Sequence, residues 1–209
     1  MKGISQPTVR RYLDVLTQAF MVRQLQPWHA NMTKRQVKAP KVYFRDVGLL
    51  HALMGIRTLE ELLNHPHSGA SWEGFALEQV LRLAQPDEAW FWATHQDAEL
   101  ELLLLRGRQR VGVEFKRADA PRVTPSMRIA MTELQLDALY VVYPGLHRYP
   151  LEAGMEAVPL GHLLPQSWVF PQAQAAGGTL APCLSAAAGS PTWTWTPSMR
   201  RWSCCATRS

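Results

Sequence analysis

Three acids and one lysine in the middle of the chain stand at a spacing that suits chemistry. Glu114 and Lys116 lie two residues apart in VGVEFKR, Glu101 lies in AELELLL, and Glu73 sits in GASWEG. Side chains of an extended strand alternate between faces, so Glu114 and Lys116 share one face while Val111, Val113 and Phe115 share the other. Glu99 and Glu101 share a face of the preceding strand, and pairing through a turn at Gly107 places Glu101 beside Glu114 and Lys116. Clustered carboxylates repel unless a cation compensates them, and a divalent metal or a lysine is the usual compensator. Mg2+ takes oxygen ligands, so Glu101 and Glu114 with waters would complete its octahedron. Lys116 would then orient the attacking water and stabilise charge developing on a phosphate. The chemistry implied is metal-assisted hydrolysis of a phosphodiester. The same spacing equally suits the solvent-facing charges of a half-exposed hairpin, with Glu114 and Lys116 paired across the pleat.

These residues need a sheet and flanking helices to hold them. Ser71 is placed to cap a helix with Trp72, Phe75, Ala76, Val80, Leu83 and Ala84 on one face, stopped by Pro86. Strand signals follow at Trp90–Ala93, Glu99–Leu105 and Arg110–Lys116, the last two joined by the RGRQ turn. Thr124-Pro125 opens a second helix running to about Leu136. The run from Ala138 to Tyr143 is a buried strand ended by Pro144-Gly145. The order α-β-β-β-α-β predicts an α/β module with a mixed sheet.

Upstream, Ser5 and Pro7 open an amphipathic helix with Val9, Tyr12, Leu13, Leu16 and Phe20 on one stripe and Arg10 and Arg11 outside it. Strands at Met21–Leu25 and Val42–Phe44 flank the polar loop HANMTKRQ, giving the outline of a partial winged helix. A complete winged helix has further helices in front, so the chain is expected to be the C-terminal part of something longer. RDVGLLHALMGI adds a helix closing at Gly55, with Asp46 as its cap, and LEELL a further turn.

Composition narrows the function classes. A chain of 209 residues, 47% hydrophobic and 19% charged, is neither a peptide hormone nor a fibre nor wholly disordered. Its apolar runs fall far short of the roughly 20 residues that cross a bilayer. MKGISQPTVRR lacks the apolar core of a secretory signal, and Cys183, Cys204 and Cys205 form no disulfide framework, so a cytoplasmic setting is expected. Residues 1–45 hold nine basic side chains against Asp14, residues 46–170 ten against sixteen acids, and the last 39 only Arg200, Arg201 and Arg208. A basic start suits contacts to a phosphate backbone through Arg10, Arg11, Arg23, Lys34, Arg35 and Lys38, and equally an acidic protein surface. From about Ala173 the chain is rich in Ala, Gly, Ser, Thr and Pro, has no acid and leaves Trp193, Trp195 and Trp202 without periodic partners, so this tail is expected to be disordered. A shifted reading frame is one origin for such a tail. His65 and His67 lack further ligands at zinc spacing, and Trp72, Trp90 and Trp92 fall where core anchors are expected.

Taken together, GASWEG, DAELELLL and VGVEFKR in this order resemble the PD-(D/E)xK nuclease-like superfamily. With SQPTVRRYLDVL and KVYFRDVGLLHALMGI they resemble the C-terminal region, domain-of-unknown-function family 4143, of prokaryotic AAA-type, archaeal-ATPase-like proteins, over about Gly3 to Leu164. The resemblance implies a restriction-endonuclease-like module with Glu73, Glu101 and Glu114 as its acids and Lys116 as its lysine. It implies Mg2+ on Glu101 and Glu114, with Glu73 supporting a ligand or a second metal, and DNA as partner. Where that pattern carries Asp this chain has Glu101, whose extra methylene displaces a ligand by about 1.5 Å. No G-x-x-x-x-G-K-[ST] stretch occurs, so no ATP site is expected and an ATPase module would be a separate partner, alongside self-association and no membrane. The expected division is a winged-helix remnant and connecting helix over 1–56, the nuclease-like module over 57–170 and the tail over 171–209. The alternatives to a nuclease are a catalytically silent docking module and a truncated gene remnant.

Overall fold

The computed structural model describes residues 5–28, 39–94 and 98–163, so Lys34, Arg35, Lys38 and the tail lie outside the described residues. Helix α1, Gln6–Gln18, begins with Pro7 in its first turn, where the missing N–H costs no helical bond. Its apolar stripe is real but only partly covered among the described residues, with Leu13 and Leu16 half-buried. No residue of α1 is buried, and Tyr12 and Phe20 are 62% and 73% exposed. The strands β1, Val22–Leu25, and β2, Lys41–Phe44, pair antiparallel with Val22 opposite Phe44. Helix α2, Val47–Leu53, is capped by Asp46, whose carboxylate accepts from the N–H groups of Gly48 and Leu49 at 2.7 and 3.3 Å. Helix α3, Leu59–Asn64, is capped by Thr58.

Helix α4 spans Ser68–Ala84 and starts three residues before the expected cap. Ser71 is instead buried in its first turn, bonded to the His51 ring at 2.6 Å. The buried face of α4 is Ala76, Leu77, Val80, Leu81 and Ala84, whereas Phe75, expected on that face, is 39% exposed. Strands β3, Glu88–Ala93, β4, Glu99–Arg106, and β5, Gln109–Phe115, form an antiparallel meander, and the β4–β5 turn uses Gly107 at φ 56°. Helix α5, Pro125–Glu133, carries Thr124 as its N-cap and leads to β6, Ala138–Tyr143, parallel to β5.

Two more strands extend the sheet beyond the expected module: β7, Tyr149–Glu152, and β8, Met155–Pro159, followed by a short 3-10 turn over Leu160–His162. Pro150 and Pro159 spoil their sequence signature, because proline cannot donate to a ladder, yet they are tolerated at an edge and at a strand end. The six strands lie in the order β3-β4-β5-β6-β8-β7, with β8 parallel to β6 and β7 antiparallel to β8.

Both sheet faces are covered. On one, Leu77 and Val80 of α4 pack with Leu102, Leu104, Val111, Val113 and Val142. On the other, Met127 and Ala130 of α5 pack with Leu100, Leu103, Leu139 and Val141. This explains the unbroken apolar run of β6, in which every residue is buried. Full burial of each such leucine or valine contributes about 2 kcal/mol. Leu100 and Leu102, two apart in β4, occupy opposite cores because the pairing steps from Trp90↔Leu103 to Trp92↔Leu100. Three β4 intervals thus span two in β3, and this bulge breaks the strict alternation expected for the strand. No helix among the described residues is long and apolar enough to cross a membrane.

Candidate active site

The bulge delivers Glu101 to the end of the β4–β5 pair. The ladder pairs Leu102 with Val113, and one step further the carboxylate of Glu114 accepts the Glu101 N–H at 3.3 Å. The Glu101 carboxylate in turn accepts the N–H of Phe115. The Lys116 N–H bonds the Val142 carbonyl at 2.9 Å, which fixes the chain as it leaves β5. From there the Lys116 ammonium reaches Glu114 at 2.7 Å and Glu101 at 3.2 Å. Glu101, Glu114 and Lys116 are therefore one cluster at the C-terminal end of β5.

Burial sets the electrostatics of this cluster. The side chains of Glu114 and Glu101 are only 6% and 16% exposed, against 34% for Lys116. Loss of water and then the Glu114 charge raise Glu101 to a pKa of about 7, against the pull of Lys116. Burial also raises Glu114, with Lys116 opposing. Burial alone would lower Lys116, but Glu114 and Glu101 outweigh it and hold the ammonium charged.

Glu73 stands beside this trio rather than in it. Its carboxylate accepts a 2.6 Å hydrogen bond from the Tyr43 hydroxyl, and its charge reaches Glu101 as a further upward push. Among the described residues no three His, Cys, Asp or Glu side chains form a metal-holding group. What the site offers a cation is the pair Glu101 and Glu114, whose oxygens already converge on the Lys116 ammonium. Two carboxylates with waters suit Mg2+, which keeps several waters in most protein sites.

Of the basic residues expected to meet nucleic acid, Arg10 and Arg11 are exposed on α1. Arg23 is committed to Glu78 of α4 through two nitrogens, one at 3.0 Å, and Arg45 reaches the same carboxylate at 3.5 Å. Lys34, Arg35 and Lys38 are outside the described residues. Three contributors escaped the sequence reading. Tyr43 holds Glu73, Lys41 pairs with Glu99, and Glu78 anchors the β1–β2 hairpin. Their partners lie 30 or more residues away, so no local spacing signals them.

Two family models match separate parts of the chain. Residues 1–60 match a family model described as domain of unknown function DUF8612, and residues 68–163 match domain of unknown function DUF4143. The uncharacterized proteins Mb2031c of Mycobacterium bovis and Rv2008c of Mycobacterium tuberculosis are each 50% identical over 161 residues, which is 77% of this chain. The chain spans 36% of the length of each of these relatives. No solved structure matches it.

Proposed function

We propose that the chain is a DNA-associated module that hydrolyses phosphodiester bonds with a divalent cation held by Glu101 and Glu114. The observation that carries this reading is the convergence of one buried carboxylate, one largely buried carboxylate and one lysine on a single point at a strand end. A structural ion pair needs one acid, and a second, largely buried carboxylate with a raised pKa is costly unless a cation is to be shared. A bound Mg2+ would polarise the phosphoryl oxygen and acidify a water. Lys116, displaced from between the carboxylates, is long enough to orient the attacking water and to meet charge developing on the phosphate. Glu114 supplies the rigid member of the pair through its bond from the Glu101 N–H. Glu73, braced by Tyr43, keeps negative charge beside Glu101 and so favours a cation there. On this reading Arg10 and Arg11 contact the DNA backbone, and the helix with its β1–β2 ribbon is a winged-helix remnant. An ATPase module would belong to the longer protein or to a separate chain.

The deciding experiment is cleavage of single- and double-stranded DNA by the purified chain with Mg2+, Mn2+ or EDTA. Metal-dependent cleavage that disappears in Glu114→Gln supports the proposal, and no cleavage with either metal overturns it. A second reading is a silent docking module, favoured by one feature: the Lys116 ammonium already lies within ion-pair distance of both carboxylates. That reading requires an absence of Mn2+ binding by calorimetry.

A further inference from the structure

An apolar cavity of about 360 Å3 opens between α2, α3 and α4, next to the candidate site. Leu62, Leu63, Trp72 and Phe75 supply apolar wall, with Pro144 and Arg117 at the ends of β6 and β5. The volume lies within the range of ligand pockets, and such pockets are apolar with a few placed polar groups. The Trp72 and Phe75 rings, with centroids 6.4 Å apart and planes at 50°, form one aromatic corner. The polar pair in the wall, His51 and Ser71, is satisfied internally at 2.6 Å. Arg117 differs. It is exposed, donates to the Ser68 hydroxyl and reaches the Leu63 carbonyl at 3.4 Å, and pairs with no carboxylate among the described residues.

Arg117 follows Lys116 directly, and Trp72 precedes Glu73 directly. The cavity and the carboxylate cluster therefore share α4 and the end of β5. An aromatic corner beside an unneutralised guanidinium suits a flat heteroaromatic ring linked to a phosphate. The geometry points to this cavity as the seat for one unpaired nucleobase of a nucleic-acid strand whose backbone crosses Arg117 and Lys116. This inference rests on the phosphodiester reading and deepens it: the substrate presents a base out of the stack, from a single strand or by extrusion.

The test is strand binding in EDTA, where no cleavage intervenes. An end-labelled oligothymidylate and the same strand with abasic sites are titrated against the full chain by fluorescence anisotropy. The intact strand should bind about tenfold tighter, the scale of one base stacked on an aromatic ring. Phe75→Ala should erase that difference and leave the abasic strand unchanged, and a melt checks that the half-exposed site tolerates the change. Arg117→Met should weaken both strands alike. Thymidine monophosphate should fail to displace the strand; full displacement would make the cavity a free-nucleotide site and overturn the strand assignment. Equal affinity for intact and abasic strands, no binding of either, or a preference that survives Phe75→Ala overturns the inference. Glu114→Gln tests cleavage alone, so either claim can fail without the other.

Discussion

Tyr43 of β2 donates its hydroxyl to Glu73 of α4 at 2.6 Å, so the N-terminal hairpin braces an acid beside the candidate site. Burial, then the Glu73 carboxylate, holds the Tyr43 phenol protonated far above its ordinary range, which keeps the donor in place. Further along α4, Glu78 gathers Arg23 of β1 and Arg45 just after β2.

Tyr43→Phe removes that donor and nothing else. The expected loss is about 1.5–3 kcal/mol, the range for a hydrogen bond to a charged group. Urea unfolding checks it, with Glu73→Gln as the partner in a double-mutant cycle; additivity of the two changes would contradict the coupling.

The Glu101 pKa of about 7 makes stability depend on pH in a stated direction. The unfolded side chain titrates near 4.5. Between those values the folded state holds a proton that the unfolded state releases, so this group favours folding most below pH 4.5 and loses that contribution as pH rises through about 7. Glu101→Gln should therefore gain stability over the parent at pH 8, with a ceiling of about 3 kcal/mol at 1.36 kcal/mol per unit, and the gain should fade towards pH 4. Melting curves across this range decide it.

Metal binding is expected to need both carboxylates. Mn2+ calorimetry should give one site in the parent chain and none in Glu101→Ala or Glu114→Ala. Lys116→Met, by removing the resident cation, should tighten Mn2+ while abolishing cleavage.

Two glycines predict opposite outcomes. A Cβ on Gly112 would lie 2.7 Å from Leu136 and 3.3 Å from Leu100, so Gly112→Ala should cost about 1–3 kcal/mol through overpacking. Gly69, in the first turn of α4, has open space there, and Gly69→Ala should stabilise by about 0.5 kcal/mol. Differential scanning calorimetry of the two variants reads both signs.

Local chemistry made much of the fold legible. Asp46 and Thr124 mark helix starts because a side chain that caps an N–H acts within three residues. The Ala138–Tyr143 run marks a strand buried on both faces. Glu114 and Lys116 fall together because strand alternation is local. The bulge that shifts Glu101 is invisible, since it depends on β3 supplying one residue fewer. Phe75 follows the core periodicity but lines a cavity bordered by α2, α3 and α4. Val9, Tyr12 and Phe20 follow a helical stripe that the described residues leave uncovered, since periodicity reports an apolar face and never what covers it.

The backbone of Gln26 and Trp28 continues past β1 to bond Phe91 on both sides, at 3.0 and 2.6 Å, and so occupies the outer rim of β3. Segments 1–60 and 68–163, although matched by separate family models, are thus stitched by main chain. Excising the second alone would bare a strand rim flanked by Trp90 and Trp92, an open template for self-templated aggregation. Expression limits for any shortened version should therefore start ahead of Val22, so that solubility is kept by the chain's own cover strand.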